Sequence, residues 1–105
     1  MFTPNAIAAA GISQQAKVPT VIFNASASAV ISQSDYYVRT SNTLAQVSVP
    51  TAQDALDKGY RTVVTAVSDY APGVDAETNF AKAFTEGGGE VLDTMRLLAE
   101  DGMTM

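Results

Sequence analysis

The stretch from Arg61 to Phe84 constrains the fold most, because it changes from a strand pattern to a helix pattern within a few residues. A β-branched run, typical of a strand covered on both faces, comes first: Val63, Val64, Ala66 and Val67. Ser68-Asp69 ends this run, and Pro72-Gly73 indicates a turn. Apolar residues at helical spacing follow: Ala76, Phe80, Ala83 and Phe84. The stretch therefore predicts a strand–turn–helix unit, whose turn lies where open α/β sheets bind ligands.

Charges and glycines mark the limits of the predicted helix. Asp75 and Glu77 fall in its first turn, where the helix dipole favours anions, and we interpret both as solvated charges. Gly87–Gly89 ends the helix, since glycine readily adopts the left-handed conformation of a C-cap. A phosphate-binding loop is disfavoured because the run follows a helix and lacks the P-loop lysine. Glu90 to Arg96 is then predicted as the next strand.

The first part of the chain predicts a helix followed by a strand. Thr3-Pro4 suits a helix start, since threonine can cap and proline is tolerated at the first helical position. Asn5 to Gln15 is alanine-rich and predicts the helix itself, and Val18 to Phe23 predicts a buried strand. The small residues of Asn24–Ser28 follow, which indicates either a surface turn or a loop whose backbone approaches a ligand closely.

The middle of the chain repeats this alternation. A short strand is predicted around Tyr36, Tyr37 and Val38, and Asn42 to Lys58 is helical in character. Pro50 either kinks this helix or begins a second one. The tail from Leu97 onward has no periodicity and is expected to be partly frayed.

This order predicts an α/β fold, in which a parallel sheet of about three or four strands lies between helices in three layers. The whole chain is expected to pack as one small α/β unit. A sheet of that size leaves edges and apolar faces exposed, so we expect pairing with another chain, as a homodimer.

Composition narrows the function. The 105 residues suit one small domain, and the net charge of −5 disfavours nucleic acid or an anionic membrane as a partner. The chain has no cysteine and no histidine, which excludes thiol chemistry, the usual zinc sites and histidine acid–base catalysis. No catalytic residues, metal site or cofactor are predicted, and an enzyme is not expected. The sequence contains no membrane-spanning stretch and no signal peptide, so as written it is expected to remain cytoplasmic.

Three phrases, in this order and spacing, resemble the type I periplasmic binding proteins: AKVPTVIFNASASAVIS, YYVRTSNT and KGYRTVVTAVSDYAPGVDAETNFAKAFTEGGGEVL. More narrowly, they resemble the substrate-binding subunits of branched-chain amino acid (leucine, isoleucine, valine) ABC transporters. Members of that family have two α/β lobes that close over a ligand. The resemblance implies that residues 1–39 correspond to the end of the first-lobe segment and residues 40–105 to the start of the second lobe, so that the chain is a periplasmic-binding-protein-like fragment.

The resemblance also implies a ligand site in the first lobe. In the family, the loop after the strand matching Val18–Phe23 holds the ligand's amino and carboxyl groups, and that loop is Asn24–Ser28 here. Ala25 can supply a carbonyl; the family's hydroxyl position falls on Ala27, so Ser26 or Ser28 would have to substitute for it. A further family hydroxyl, at a helix start, falls near Thr3, where a carboxylate would also meet free helix amides.

The second lobe is implied to contribute an aromatic or apolar wall. The candidates are Tyr70 and Pro72, in the turn after the strand matching Arg61–Ser68. Asp69, at the end of the strand, either contacts the ligand or caps the following helix. An acidic residue that pairs with the ligand ammonium in the family matches no position of this chain.

The function implied is that of a fragment of a solute-binding protein for ABC transport of an amino acid or related small carboxylate. Its partners would be the small ligand and an ABC permease, and the compartment of the full-length family is the periplasm. Two alternatives are a ligand-sensing or oligomerisation module of the same fold and a non-functional truncated product. A flavodoxin-like enzyme is disfavoured, because the chain lacks histidine, cysteine and a phosphate loop.

Overall fold

The computed structural model describes residues 1–98, in which helices and short parallel strands alternate. In chain order the elements are α1 (Thr3–Ala16), β1 (Thr20–Ile22), β2 (Tyr37–Arg39), α2 (Leu44–Asp57), β3 (Thr62–Ser68), α3 (Ala71–Glu86) and β4 (Glu90–Leu97). A short 3-10 helix, Ile31–Gln33, lies between β1 and β2. Most of the tail predicted to be frayed lies outside the described residues.

The strands form two separate parallel pairs. β1 pairs with β2, and β3 pairs with β4. The α/β class with parallel strands is therefore confirmed, whereas the expectation of one sheet of three or four strands is wrong. Alternation along the chain reveals which segments are strands, but it does not reveal which strands share a sheet. Here α2 leads from one pair to the other and packs on α3, so that the described residues form an α1–β2 half and an α2–β4 half.

The α1–β2 half has a core of small side chains with one aromatic ring. Ala6 and Ala10 of α1 pack against Ile22 of β1 and Tyr37 of β2, and all four are buried. The Tyr37 hydroxyl donates a 2.6 Å hydrogen bond to the Ala6 carbonyl oxygen, which links the second strand to the helix. Tyr37 therefore serves as a packing residue of this half.

Replacing Tyr37 with phenylalanine is expected to reduce the free energy of unfolding by about 1 kcal/mol, the usual net value of one intramolecular hydrogen bond. Denaturant titration measures the change. Tyr60→Phe is the matched control, because Tyr60 is exposed and we expect almost no effect there. Equal losses in the two variants would show that the bond to Ala6 contributes nothing.

The α2–β4 half packs around Phe84. Ala52 and Leu56 of α2 contact this ring, and Phe80 stacks on it from one turn earlier in α3. Thr43 begins α2 with a capping box: its hydroxyl accepts from the Gln46 amide, and the Gln46 side chain accepts from the Thr43 amide. The helix continues through Pro50, so no second helix begins there.

The start of α3 differs from the sequence prediction. The helix begins at Ala71, so Pro72 and Gly73 belong to its first turn rather than to the preceding turn. Proline suits that position because its missing amide hydrogen has no partner in the first helical turn. Asp75 and Glu77 consequently lie beyond the first turn, and the prediction that they occupy it is wrong.

These two carboxylates are not simply solvated, as we expect from the sequence. Glu77 forms a salt bridge with Arg96 of β4 at 3.2 Å, and its side chain is only 17% exposed. Asp75 accepts hydrogen bonds from the loop after β1. The predicted helix end is confirmed: α3 ends at Glu86, and Gly88 adopts a φ of 94°, which favours glycine.

One face of the β3–β4 pair exposes apolar side chains. Val64, Met95 and Leu97 are each half-exposed or more, while both α2 and α3 belong to the core on the other face. Such a face promotes association, but nothing in the structure identifies its partner, and the homodimer stays a prediction. Among the described residues, no helix is long and apolar enough to cross a bilayer.

Candidate functional site

A cavity of about 160 Å³ lies where the two halves meet. One wall comes from the start of α1 and the loop after β1, and the other comes from the start of α3. Its lining residues are Phe2, Thr3, Asn24, Ala25, Ser26, Tyr70 and Pro72. The two walls are separated by more than forty positions in the sequence, and only the fold brings them together.

Five of the eight residues singled out from the sequence line this cavity. They are Thr3, Ala25, Ser26, Tyr70 and Pro72. The structure does not test whether they bind a ligand, so their role stays a prediction. Their convergence nevertheless makes this cavity the candidate site.

The other three residues lie outside the lining. Ala27 is buried, and its carbonyl oxygen accepts a 2.7 Å hydrogen bond from Nη2 of Arg39. The hydroxyl of Ser28 donates to Asp75, so Ser26 is the serine of this loop that remains at the cavity. Asp69 is exposed, and its backbone amide donates to the Leu97 carbonyl oxygen at 2.8 Å, which extends the pairing of β3 with β4.

Thr3 is the polar side chain that most suggests a ligand. The residue is 1% exposed, and its Oγ1 atom is buried with no hydrogen-bond partner among the described residues. A buried hydroxyl without a partner costs about 1–3 kcal/mol. A group that enters the cavity and hydrogen-bonds this oxygen would recover that free energy, and the binding role of Thr3 stays a prediction.

Two helices begin at this cavity. Phe2 is the N-cap of α1 and Tyr70 is the N-cap of α3, and neither provides a side-chain cap. Amides in the first turn of a helix have no intrahelical partner, and the helix dipole places partial positive charge there. The described part of the chain contributes no lysine, arginine, aspartate or glutamate to the lining. The cavity is therefore suited to an anion of low charge, such as a carboxylate.

The loop that forms one wall is held by hydrogen bonds on several sides. The Ser26 carbonyl oxygen accepts from the Leu44 amide at 2.9 Å, just after the connection between the two halves. Ser28 is held by Asp75 of α3, the helix that begins at the opposite wall. These bonds hold the loop around Ser26, while Ala25 beside it is buried in the core of the α1–β2 half.

Two lining residues are missing from the sequence prediction. Phe2 precedes α1, and Asn24 follows β1 with its side-chain amide donating to the Met1 carbonyl oxygen at 3.2 Å. Asn24 is the first residue of the Asn24–Ser28 loop that the family resemblance implicates in ligand binding. It could therefore have been predicted from the position of that loop. No sequence pattern predicts Phe2 as a lining residue, because it lies outside every periodic segment. It reaches the cavity only because of the orientation of α1.

No group of three or more potential metal ligands (histidine, cysteine, aspartate or glutamate) comes together within residues 1–98. A second cavity, of about 430 Å³, lies between α2, β3 and α3. It is lined mainly by apolar residues, among them Val47, Val67 and Phe80. It contains none of the residues singled out from the sequence.

Comparison with known proteins identifies the fold. No protein-family model matches the chain. Leu/Ile/Val-binding protein homolog 6 of Brucella abortus is 51% identical over 96 residues, which are 91% of this chain and 25% of that protein. The solute-binding protein of an ABC transporter from Rhodopseudomonas palustris HaA2, solved with p-hydroxybenzoic acid, is 50% identical, with a TM-score of 0.90 over 92% of this chain and 26% of that chain.

The chain is a fragment of the type I periplasmic binding protein fold. It spans about a quarter of the length of the curated relatives that it matches. A second solute-binding protein, from Rhodopseudomonas palustris BisB5 and solved with 3,4-dihydroxybenzoic acid, is 44% identical with a TM-score of 0.89, over 92% of this chain and 27% of that chain. The similarity to solute-binding proteins of ABC transporters that the three sequence phrases imply is thus confirmed. The assignment of residues 1–39 and 40–105 to two lobes stays a prediction.

Proposed function

We propose that the complete protein to which this fragment belongs is the solute-binding component of an ABC transporter, and that the cavity at Thr3 holds the carboxylate of its ligand. One observation carries the proposal: the Thr3 hydroxyl is buried with no partner in residues 1–98, where α1 and α3 both begin without side-chain caps. Hydroxyl and backbone amide donors that converge on a cavity are the groups that bind a carboxylate.

The ligand class that we favour is a hydroxylated aromatic carboxylate. Two aromatic rings, Phe2 and Tyr70, line the cavity beside the proposed carboxylate position. Two solved relatives of 44% and 50% identity contain 3,4-dihydroxybenzoic acid and p-hydroxybenzoic acid. A planar ring can pack against these side chains while its carboxylate accepts from Thr3.

A branched-chain amino acid is the second candidate, supported by the name of the Brucella relative. An amino acid carries an ammonium group that needs acceptors. The lining contributed by residues 1–98 contains no carboxylate. An ammonium group would therefore meet only neutral acceptors, which are the Asn24 side chain, the hydroxyls of Thr3, Ser26 and Tyr70, and backbone carbonyls. This chemistry favours a ligand without an ammonium group.

The remaining parts of the proposal follow from the relatives. A solute-binding protein changes conformation and performs no covalent chemistry, so we propose no enzymatic activity. Its macromolecular partner would be an ABC permease, and its compartment the periplasm. The 105-residue chain contributes only two walls of the cavity, one on each side. Because two walls cannot bury a ligand as a complete pocket does, we expect the chain to bind a ligand weakly by itself.

Replacing Thr3 with valine in the complete protein is expected to weaken 4-hydroxybenzoate binding by about ten- to a hundredfold, because one hydrogen bond to a charged group is lost. Isothermal titration calorimetry with 4-hydroxybenzoate and with leucine measures the affinities. Valine preserves the side-chain volume and removes the hydroxyl, so the fold should be retained.

Thr78→Val is the matched control, because Thr78 is exposed and its hydroxyl bonds only the Val74 carbonyl of its own helix. Unchanged affinity in that variant, with a loss in Thr3→Val, supports the proposed site. Tighter binding of leucine than of 4-hydroxybenzoate would select the second ligand class. Binding of neither compound, or equal affinity in wild type and Thr3→Val, would contradict the proposal.

A further inference from the structure

Asp75 and Ser28 connect the two walls of the candidate site directly. The Ser28 backbone amide and the Ser28 hydroxyl both donate to Oδ2 of Asp75, each at 2.9 Å. Ser28 belongs to the loop whose residues Ala25 and Ser26 form one wall, and Asp75 belongs to the helix that begins with the opposite wall. We propose that this pair is a latch that holds the cleft closed over its ligand.

The carboxylate is held in position for this contact. Asn79, one turn later in α3, donates from its side-chain amide to Oδ1 of Asp75 at 3.2 Å and to the Asp75 carbonyl oxygen at 2.8 Å. One oxygen is thus fixed on α3 while the other faces Ser28. A carboxylate acceptor makes both bonds to Ser28 charge-assisted, which roughly doubles their strength over bonds between neutral groups.

The latch differs from the other bonds that hold the loop. The Leu44 amide bonds Ser26 from a position only five residues after β2, close to the connection between the two halves, so that bond can persist when the halves rotate. The bonds between Ser28 and Asp75 join residues 47 positions apart on facing walls, so separation of the walls must break both. The two bonds between Ser28 and Asp75 therefore form only when the walls are close together.

Asp75 does not line the cavity and is a positioning residue. It acts on affinity by raising the population of the closed state, since the apparent dissociation constant is the intrinsic constant divided by the competent fraction. This step rests on the proposed function. The prediction that the walls separate without the latch does not rest on it.

The latch is tested in the complete protein with Asp75→Ala, which keeps a good helix former in α3. Spin labels at Ile12→Cys on α1 and Lys82→Cys on α3, both exposed positions, report the distance between the walls without any ligand. We expect a longer and broader distance distribution in Asp75→Ala than in the protein with Asp75. Asp57→Ala, the same exchange at the far end of α2, should leave the distribution unchanged.

Affinity provides the second measurement. We expect Asp75→Ala to weaken 4-hydroxybenzoate binding by about tenfold or more, mostly through faster dissociation. Ser28→Ala removes one of the two bonds and should have a smaller effect, and the double variant should resemble Asp75→Ala alone. An unchanged distance distribution in Asp75→Ala, or additive effects of the two substitutions on affinity, would overturn the latch. If the wild type binds no ligand, the proposed function fails, and the distances alone then decide the latch.

Discussion

Replacing Phe84 with alanine is expected to reduce the free energy of unfolding of the α2–β4 half by about 3–5 kcal/mol. The ring is fully buried and joins α2 to α3 through Ala52 and Leu56. Phe80 stacks on it with ring centroids 5.5 Å apart. Its removal would leave a cavity that the surrounding backbone cannot easily fill, and a loss of this size is a large fraction of the stability of a small domain.

Hydrogen exchange of backbone amides measures this effect separately in each half. Protection should fall in α2, β3 and α3 and change little in α1, because Phe84 belongs to a core cluster that shares no residue with the cluster around Tyr37. Phe23→Ala is the matched control, since Phe23 is 75% exposed and its truncation should cost little. Equal protection losses in α1 and α3 would show that the two clusters unfold as one unit.

Replacing Gly73 with alanine is expected to destabilise the fold by roughly 1–3 kcal/mol and to weaken ligand binding as well. A Cβ atom at Gly73 would overlap the backbone carbonyl oxygen of Ser68, at the end of β3. The start of α3 must then move away from the strand. Because Tyr70 and Pro72 lie in the same segment, this movement would displace one wall of the cavity.

Gly11→Ala is the control for the general effect of replacing a helical glycine with alanine. Gly11 lies inside α1, and a Cβ atom there would meet nothing within 4 Å beyond the adjacent residues and backbone of its own helix. Alanine is about 1 kcal/mol better than glycine in a helix interior, so this variant should be slightly stabilised. Thermal unfolding and ligand titration of both variants measure the difference. Unchanged stability in Gly73→Ala would mean that α3 can shift without cost and that the close contact with Ser68 does not fix the wall.

The sequence predicts local structure well and strand partners poorly. The β-branched run at Val63–Val67 and the helical spacing of Phe80 and Phe84 are local patterns, and both elements form where they are expected. Sheet membership depends instead on the path of α2 and on hydrogen bonds between distant segments. No period along the chain encodes it, which explains why one sheet is expected and two are found.

In the candidate site, too, local features can be predicted from the sequence, whereas contacts between distant segments cannot. Thr3 and the loop at Ala25–Ser26 can be predicted because a helix start and a run of small residues are visible in the sequence, and the resemblance gives them a role. The contact of Ser28 with Asp75 cannot be predicted in this way. Asp75 looks like any surface charge on a helix, and only the position of α3 relative to the loop turns it into a partner for Ser28.

The chemistry of the cavity at Thr3 also affects how fast a bound ligand can be released. Its proposed anion would be held by a hydroxyl and by amide dipoles at two helix starts, since residues 1–98 contribute no lysine or arginine to the lining. When the walls separate, water can hydrate those donors at once, whereas a cationic site would lose a full ion pair with its ligand. We therefore expect a ligand in this site to be held firmly while the walls are closed and to be released quickly once they separate.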